Sequence, residues 1–164
     1  MLVGYLRGAM SAEFFDYPTG DADPSAGDVQ FLGDHFEEDW TIILDHTETR
    51  RFSAGEVVIR AGDTDRALYL VTRGNLAVAG RGADRFRPVE APAVIGEVAF
   101  LDGGPRSVTL VATTDGELRR LSMPSFEALA SRHPALAREM LFNLGRIVSR
   151  RLRYLTQVIE DGVG

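Results

Sequence analysis

A series of short apolar runs between residues 51 and 122, each closed by turn residues, most constrains the fold. The runs are EVVIR, ALYLVT, NLAVA, SVTLVAT and ELRRLS, with glycine-containing breaks such as Ala61-Gly62-Asp63 and Arg73-Gly74-Asn75 between them. This spacing is too tight for helical crossovers between parallel strands, so a nucleotide-binding parallel sheet is excluded. Many short strands at near-regular intervals predict a barrel or a double-sheet roll.

Helical patterns lie on both sides of this β-rich region. Residues 34–47 begin with Asp34 as an N-cap candidate and carry apolar residues at helical spacing, among them Trp40, which we assign to the core. After the strands, Pro124 opens a short helix that His133-Pro134 ends, and a long helix runs on to about residue 160. The chain is therefore predicted to be mainly β with flanking helices, an α+β fold.

The predicted domain boundaries follow from these patterns. Residues 1–33 form an acidic tail, because the segment DYPTGDADPSAGD has no hydrophobic period. The aromatic residues Phe14, Phe15 and Tyr17 leave two interpretations of that tail open: a loosely packed terminus, or a segment that docks on a partner or on the domain itself. The folded domain is predicted over 34–164, with a helix at 34–47, a β-roll at 48–122 and C-terminal helices at 124–160.

The long helix carries one narrow apolar seam that is close to a heptad repeat. The seam residues are Leu141, Leu144, Val148, Leu152, Leu155 and Ile159. Such a seam on so long a helix favours a partner helix, and we predict a homodimer through this element. Gly145 beside the seam is consistent with close approach of two helices or with simple tolerance of a glycine.

Composition excludes several classes of protein. The chain has 164 residues, 45% of them apolar, no cysteine and only three histidines. Disulfides, thiol nucleophiles, zinc ribbons and histidine-built metal sites are therefore not expected, and neither is an enzyme on a cupin-like roll. No apolar stretch is long enough to span a membrane and the start lacks a secretion signal, so we expect a cytoplasmic protein.

Charge is unevenly distributed, although the net charge is −6. Residues 1–48 carry eleven acidic residues and one arginine, whereas residues 49–164 carry thirteen acidic residues and seventeen arginines, and the chain contains no lysine. Because arginine binds planar and phosphate anions well, the later part of the chain is suited to an anion site. The acidic first part argues against general nucleic-acid binding.

The segment from Ile95 to Leu110 carries the candidate site. Gly96 permits a tight turn, a short run long enough for one helical turn follows, and Asp102-Gly103-Gly104-Pro105 returns the chain to Arg106 and Ser107. A helix N-terminus and an arginine can converge on one anion there. Because Glu97 would repel a bare phosphate, the pattern favours a ligand that also carries a hydroxyl donor, such as a sugar phosphate.

These residues resemble the phosphate-binding cassette of the cyclic-nucleotide-binding domain family. The matching residues are Ile95, Gly96, Glu97, Val98, Ala99, Arg106 and Ser107. An upstream family signature is matched in order and spacing by Val58-Ile59, Gly62-Asp63, Leu68-Tyr69-Leu70-Val71 and Gly74. Residues 144–153 resemble the long final helix of the family's bacterial members, so that the resemblance extends over about 34–160. Asp65, Pro92, Phe100 and Val108 depart from the usual pattern, but none removes a ligating group.

The resemblance implies a jelly-roll β-roll, a double-stranded β-helix, followed by a short helix and a long lid helix. It implies that Arg106 pairs with the equatorial exocyclic phosphate oxygen and that Glu97 accepts the ribose 2′-hydroxyl. The Gly96 carbonyl takes part, and the N–H groups of Ala99 and Ser107 donate to the phosphate. The implied ligand-binding residues are Gly96, Glu97, Val98, Ala99, Arg106, Ser107, Leu155 and Thr156. A degenerate cassette, in which Glu97 and Arg106 pair with each other, is the alternative.

The final helix is the expected source of contacts to the base. Alignment of Arg150-Arg151-Leu152 with the family's final helix puts Leu155 and Thr156 near the base, although Leu155 fits the dimer seam equally well. Four arginines of this helix are interpreted as a solvated face rather than a nucleic-acid contact; they are Arg146, Arg150, Arg151 and Arg153.

The expected function is that of a regulatory sensor that binds cyclic AMP rather than cyclic GMP, although Ser107 is compatible with both. No cofactor, metal, catalysis, membrane or direct nucleic-acid contact is expected, and the effector protein is unknown. The sequence ends directly after the long helix, which predicts a sensor without an attached effector. An interaction domain that keeps the fold but has lost the ligand is the alternative.

Overall fold

The computed structural model describes residues 31–32, 37–80 and 88–161, including the side chains up to residue 153 and that of Thr156. Four helices in these ranges are α1 (Glu37–Asp45), α2 (Glu97–Asp102), α3 (Met123–Arg132) and α4 (Pro134–Asp161). Eight strands are β1 (Glu48–Phe52), β2 (Val57–Ile59), β3 (Ala67–Arg73), β4 (Asn75–Ala79), β5 (Val89–Glu90), β6 (Ala93–Ile95), β7 (Thr109–Ala112) and β8 (Gly116–Ser122). Residues 1–30 and 33 of the predicted tail, and residues 34–36 at the start of the first predicted helix, lie outside the described residues.

The strands form two four-stranded antiparallel sheets. One sheet has the order β1-β8-β3-β6 and the other has the order β2-β7-β4-β5. Sequence neighbours such as β1 and β2 lie in different sheets, so the chain passes repeatedly between the two layers. The predicted double-sheet roll with flanking helices is confirmed.

Strand β3 separates two hydrophobic clusters. Ala67, Tyr69 and Val71 belong to the cluster between the sheets, whereas Leu68 and Leu70 belong to the cluster beneath the helices. Because successive side chains of a strand point to opposite faces, a strand covered on both faces is apolar throughout. This explains the unbroken run ALYLV, and it places the strand next to the site described below.

Helix α1 is held against the roll by an aromatic contact and by an arginine. Trp40 is 2% exposed and meets the Phe31 ring edge-on, with 6.0 Å between the ring centroids. Arg119 of β8 donates to the Leu44 carbonyl at 2.7 Å, near the end of α1. Trp40 is a core residue, as predicted. Phe31 and Leu32, which lie within the predicted tail, are buried in the same core cluster.

The two C-terminal helices meet at the predicted break. The Ser122 hydroxyl accepts a hydrogen bond from the Ser125 N–H and caps α3, and His133 ends that helix before α4 begins at Pro134. The inner face of α4 packs into the helical cluster through Leu136, Ala137, Met140, Leu144 and Ile147. Within the described ranges, no helix has the length and apolar character needed to cross a membrane.

The predicted seam of α4 divides between two faces. Leu144 is fully buried in its own domain, whereas Leu141 and Leu152 are 40% and 64% exposed. Phe142, which the seam did not include, is 62% exposed. A straight α-helix drifts away from a strict heptad, which explains why one row of leucines contributes to both faces.

Candidate functional site

The candidate site is built on the connection from β6 to β7. Strand β6 ends at Ile95, Gly96 takes a left-handed conformation with φ of 80°, and α2 follows as a helix of six residues. Gly103, with φ of 71°, ends α2, and its N–H donates to the Ala99 carbonyl at 3.0 Å. This is the predicted helical turn between two glycines, and it returns the chain to Arg106.

Arg106 lies folded against the protein backbone and is only 4% exposed. Its Nη1 donates to the Gly96 carbonyl at 2.9 Å, and its Nη2 donates to the Ala67 carbonyl at 2.8 Å. Its guanidinium also lies 5.1 Å from the centre of the Tyr69 ring. The buried cation is thus held beside the start of α2, where an anion could meet it.

Gly96 is required by this arrangement for two reasons. Its positive φ is a conformation that residues with a side chain rarely adopt. In addition, a Cβ atom there would overlap Nη1 of Arg106 and would lie 3.1 Å from the Ala67 carbonyl oxygen. The glycine before Glu97 therefore makes room for the arginine ten residues later.

Asp65 compensates the charge of Arg106. Its Oδ2 lies 3.2 Å from Nη2 of Arg106, its Oδ1 accepts from Nη2 of Arg120 at 2.8 Å, and the Tyr69 hydroxyl donates to it. Burial alone would raise the pKa of Asp65, but the hydrogen bonds from Tyr69 and Arg120 and the two positive charges hold that pKa below its usual value. Burial and the Asp65 carboxylate raise the pKa of Tyr69.

Glu97 is 3% exposed, and its carboxylate accepts a hydrogen bond from Nη1 of Arg151 on α4. The Arg151 side chain is 20% exposed. Its assignment to a solvated face was therefore wrong, whereas Arg146, Arg150 and Arg153 are exposed as predicted. Glu97 and Arg106 each have a different partner, so they do not form the mutual pair of the degenerate cassette.

The other predicted site residues divide into two groups. Ala99 is buried in α2, Val98 is 36% exposed beside it, and Ser107 is exposed directly after Arg106. The Thr156 hydroxyl is exposed and donates to the Leu152 carbonyl of its own helix at 3.0 Å. The Leu155 side chain lies outside the described residues. The structure thus brings together the cassette residues, whereas the Thr156 hydroxyl is bonded within its own helix.

Three side chains that contact the segment 96–106 were not predicted to belong to the site: Asp65, Arg66 and Arg151. In the sequence, Asp65 is only a departure from the family pattern. An acidic residue at this position is nevertheless the sequence feature that could have indicated a counter-ion for Arg106. The arrangement as a whole offers a buried cation and a buried carboxylate on one short segment, which suits a ligand with both an anion and a hydroxyl. In the parts of the chain that the structure describes, no cluster of acidic or histidine side chains could hold a metal ion.

Comparison with known proteins identifies related chains. The family model of the cyclic nucleotide-binding domain matches residues 49–133. The Cyclic AMP receptor protein of Thermus thermophilus is 32% identical over 120 residues, which are 71% of this chain and 54% of that protein. The cAMP-dependent protein kinase regulatory subunit of Hypocrea atroviridis is 32% identical over 87 residues, 53% of this chain and 19% of that protein. The chain thus spans about half of the first relative and a fifth of the second.

A solved structure has a fold similar to that of this chain, in agreement with the sequence comparisons. The crystal structure of the Thermus thermophilus catabolite activator protein superposes with a TM-score of 0.68 at 28% identity. The superposition covers 79% of this chain and 61% of the other.

Proposed function

The chain belongs to the cyclic nucleotide-binding domain family, and we propose that it is a regulatory sensor that binds one cyclic AMP per chain in preference to cyclic GMP. The observation that carries this proposal is the buried Arg106 beside Gly96, on the same segment as the buried Glu97. The preference for cyclic AMP is supported by the names of both relatives, each of which refers to that nucleotide.

Each cassette residue has a proposed role. Arg106 pairs with the equatorial exocyclic oxygen of the phosphate, because a hydrogen bond from a charged donor in a partly dry pocket is strong. Glu97 accepts the ribose 2′-hydroxyl, with the Gly96 carbonyl beside it. The N–H groups of Ala99 and Ser107 donate to the phosphate, and the exposed Ser107 hydroxyl is accessible as a further donor.

The proposed signal is a movement of α4. Arg151 joins this helix to the Glu97 carboxylate, so a ligand hydroxyl at Glu97 changes a contact that holds the helix. The ligand then favours whichever helix position it binds better, which is the linkage that regulation requires. Leu155 and Thr156 are proposed to approach the base when the helix closes.

The proposed output passes through protein contacts. The exposed apolar residues of α4 support a homodimer, and an effector protein of unidentified kind would read the helix position. We propose a cytoplasmic sensor without direct contact to nucleic acid or membrane. It needs no cofactor, and it is proposed to return the nucleotide unchanged.

One observation favours a second candidate function. Arg106 already has Asp65 as a counter-ion and Glu97 already has Arg151, so both ligating groups have partners within the chain. A domain that keeps the fold and its contacts without a ligand is consistent with this arrangement.

Isothermal titration calorimetry with cyclic AMP, cyclic GMP and linear AMP distinguishes the two candidates. The sensor is expected to bind cyclic AMP with one site per chain, to bind cyclic GMP more weakly, and to give little heat with linear AMP. If neither cyclic nucleotide gives heat at millimolar concentration, the interaction domain is the better description. Chromatography of the recovered ligand checks that it is unchanged.

A further inference from the structure

Two adjacent residues, Asp65 and Arg66, contact the segment 96–106 at two places, at its last residue and near its middle. Both lie in the connection between β2 and β3, directly before β3, and neither belongs to the segment itself. Asp65 faces Arg106 at the far end, with 3.2 Å between Oδ2 and Nη2. Arg66 reaches the end of α2, where its Nε donates to the Phe100 carbonyl at 3.0 Å and its Nη2 donates to the Leu101 carbonyl at 3.2 Å.

Arg66 supplies what the short helix lacks. A helix of six residues is far too short to be stable alone, and its last carbonyls have no partners within the helix. The last turn of α2 contains no basic residue, so the favourable positive charge at that end comes from Arg66. The guanidinium also lies against Gly103, where a Cβ atom would be 3.5 Å from its Cζ.

Asp65 fixes the direction of the Arg106 guanidinium. The two carbonyl contacts of Arg106 are neutral acceptors, and Asp65 adds a charged acceptor on Nη2. Asp65 is itself held, because Arg120 binds its other oxygen at 2.8 Å and Tyr69 donates to it as well. The carboxylate is therefore anchored from the sheet while it contacts the arginine.

We propose that Asp65 and Arg66 form a clasp that positions the binding segment, with Asp65 setting the orientation in which Arg106 meets the ligand. The ligand part of this inference rests on the proposed function. A guanidinium held in one orientation binds one of the two exocyclic oxygens of a cyclic phosphate in preference to the other. A loosely held guanidinium can bind either oxygen. Asp65 is thus a positioning residue that determines phosphate stereoselectivity, and Arg66 keeps α2 folded.

The two phosphorothioate diastereomers of cyclic AMP test the role of Asp65. They carry equal charge and differ only in which exocyclic oxygen is replaced by sulfur. A substitution that only changes the charge of the site therefore alters both affinities equally and leaves their ratio unchanged. Asp65→Ala is expected to reduce that ratio by about fivefold, roughly the worth of one oriented hydrogen bond, and Asp65→Glu is expected to restore part of it. Glu56→Ala, which removes a surface carboxylate paired with Arg50, is the control and should leave the ratio unchanged. An unaltered ratio in Asp65→Ala would overturn the role of Asp65.

Hydrogen exchange of the ligand-free protein tests the role of Arg66. Arg66→Ala is expected to speed the exchange of amides 99–103 by about threefold or more, since each lost hydrogen bond to a helix end weakens it. Arg66→Lys should give an intermediate rate, and Arg50→Ala, which removes a side-chain bond to the Val58 carbonyl elsewhere on the roll, should not change these amides. Unchanged exchange in Arg66→Ala overturns the role of Arg66.

The two arms separate failure of this inference from failure of the proposed function. If the parent binds neither cyclic nucleotide, the proposed function and the ligand role of Asp65 both fail, while the exchange arm still decides the role of Arg66. If the parent binds and the diastereomer ratio does not respond to Asp65→Ala, only the stereoselectivity assigned to Asp65 fails. Thermal unfolding of each variant ensures that only folded protein is compared.

Discussion

Arg151, on the long C-terminal helix, donates a hydrogen bond to the buried carboxylate of Glu97 at the start of α2. The two residues are 54 positions apart in the sequence. Glu97 is the residue assigned to the ribose hydroxyl, and α4 is the element assigned to the signal. One ion pair therefore connects the proposed binding site to the proposed output.

The first prediction concerns this pair. Arg151→Ala is expected to lower the free energy of unfolding by about 3 kcal/mol, because it leaves the carboxylate of Glu97 buried without this donor. Arg153→Ala, an exposed arginine on the same helix, should change that free energy by no more than about 0.5 kcal/mol. Chemical denaturation measures both, and equal stabilities for the two variants would contradict the pair.

The second prediction separates backbone strain from steric overlap. Gly96 and Gly55 have φ of 80° and 84°, so an alanine at either position carries a similar conformational cost. A Cβ atom at Gly55 meets nothing within 4 Å, whereas at Gly96 it overlaps the Arg106 guanidinium. Gly96→Ala is therefore expected to lose nucleotide binding and to be less stable than Gly55→Ala. Thermal unfolding and titration with cyclic AMP test this, and equal behaviour of the two variants would argue against the packing of Arg106 on Gly96.

The third prediction compares the two charged residues of the cassette. Arg106→Ala is expected to weaken cyclic AMP binding by about 10- to 150-fold, the equivalent of about 1.5–3 kcal/mol for a hydrogen bond to a charged group. Glu97→Ala should cost less affinity, because Glu97 meets a neutral hydroxyl and its removal also removes repulsion of the phosphate. Calorimetry of both variants decides the order. If Arg106→Ala binds as tightly as the parent, the assignment of the cassette is wrong.

The fold and the cassette could be predicted from sequence because their signals are local. Short apolar runs between glycine turns specify the roll, and Gly96-Glu97 followed by Arg106-Ser107 specifies the turn and its charges. The partners of those charges could not be predicted in the same way. Arg151 meets Glu97 only after α4 packs across the roll, and a lone arginine on a helix is typical of a solvated face.

The burial of some side chains also depends on tertiary contacts that the local sequence pattern does not predict. Leu144 belongs to a heptad-like row, yet it is fully buried within its own domain because α3 and the roll cover that side of α4. Phe31 follows a segment without hydrophobic period, yet it packs edge-on against Trp40. In both positions the tertiary neighbours, rather than the spacing of apolar residues, determine exposure.

The fourth prediction concerns acid stability. The pKa of Asp65 is lowered in the folded protein, so its ionised form stabilises the fold above the pKa of the unfolded chain, and this contribution is lost as pH falls through the folded pKa. The stability difference between the parent and Asp65→Asn is therefore expected to be constant near neutral pH and to shrink below about pH 4. Denaturation curves across the acid range measure it. A difference that does not change with pH would show that the carboxylate charge is not responsible.

The fifth prediction concerns the outer face of α4. Phe142 and Leu152 are more than 60% exposed, and the intervening Gly145 would allow a second backbone to approach, since nothing lies within 4 Å of a Cβ atom placed there. Burial of one such side chain contributes about 1.5–3 kcal/mol. In a two-fold dimer the substitution is present on both protomers, so the loss occurs twice. An aspartate at the centre of the interface should therefore weaken dimerisation by more than about tenfold. We expect sedimentation at micromolar concentration to show a dimer for the parent and a monomer for Leu152→Asp and Phe142→Asp.

Ala135→Asp adds the same charge at an exposed position near the start of the helix and should leave the dimer intact. A parent that is monomeric across the concentration range would exclude this face as a self-association surface.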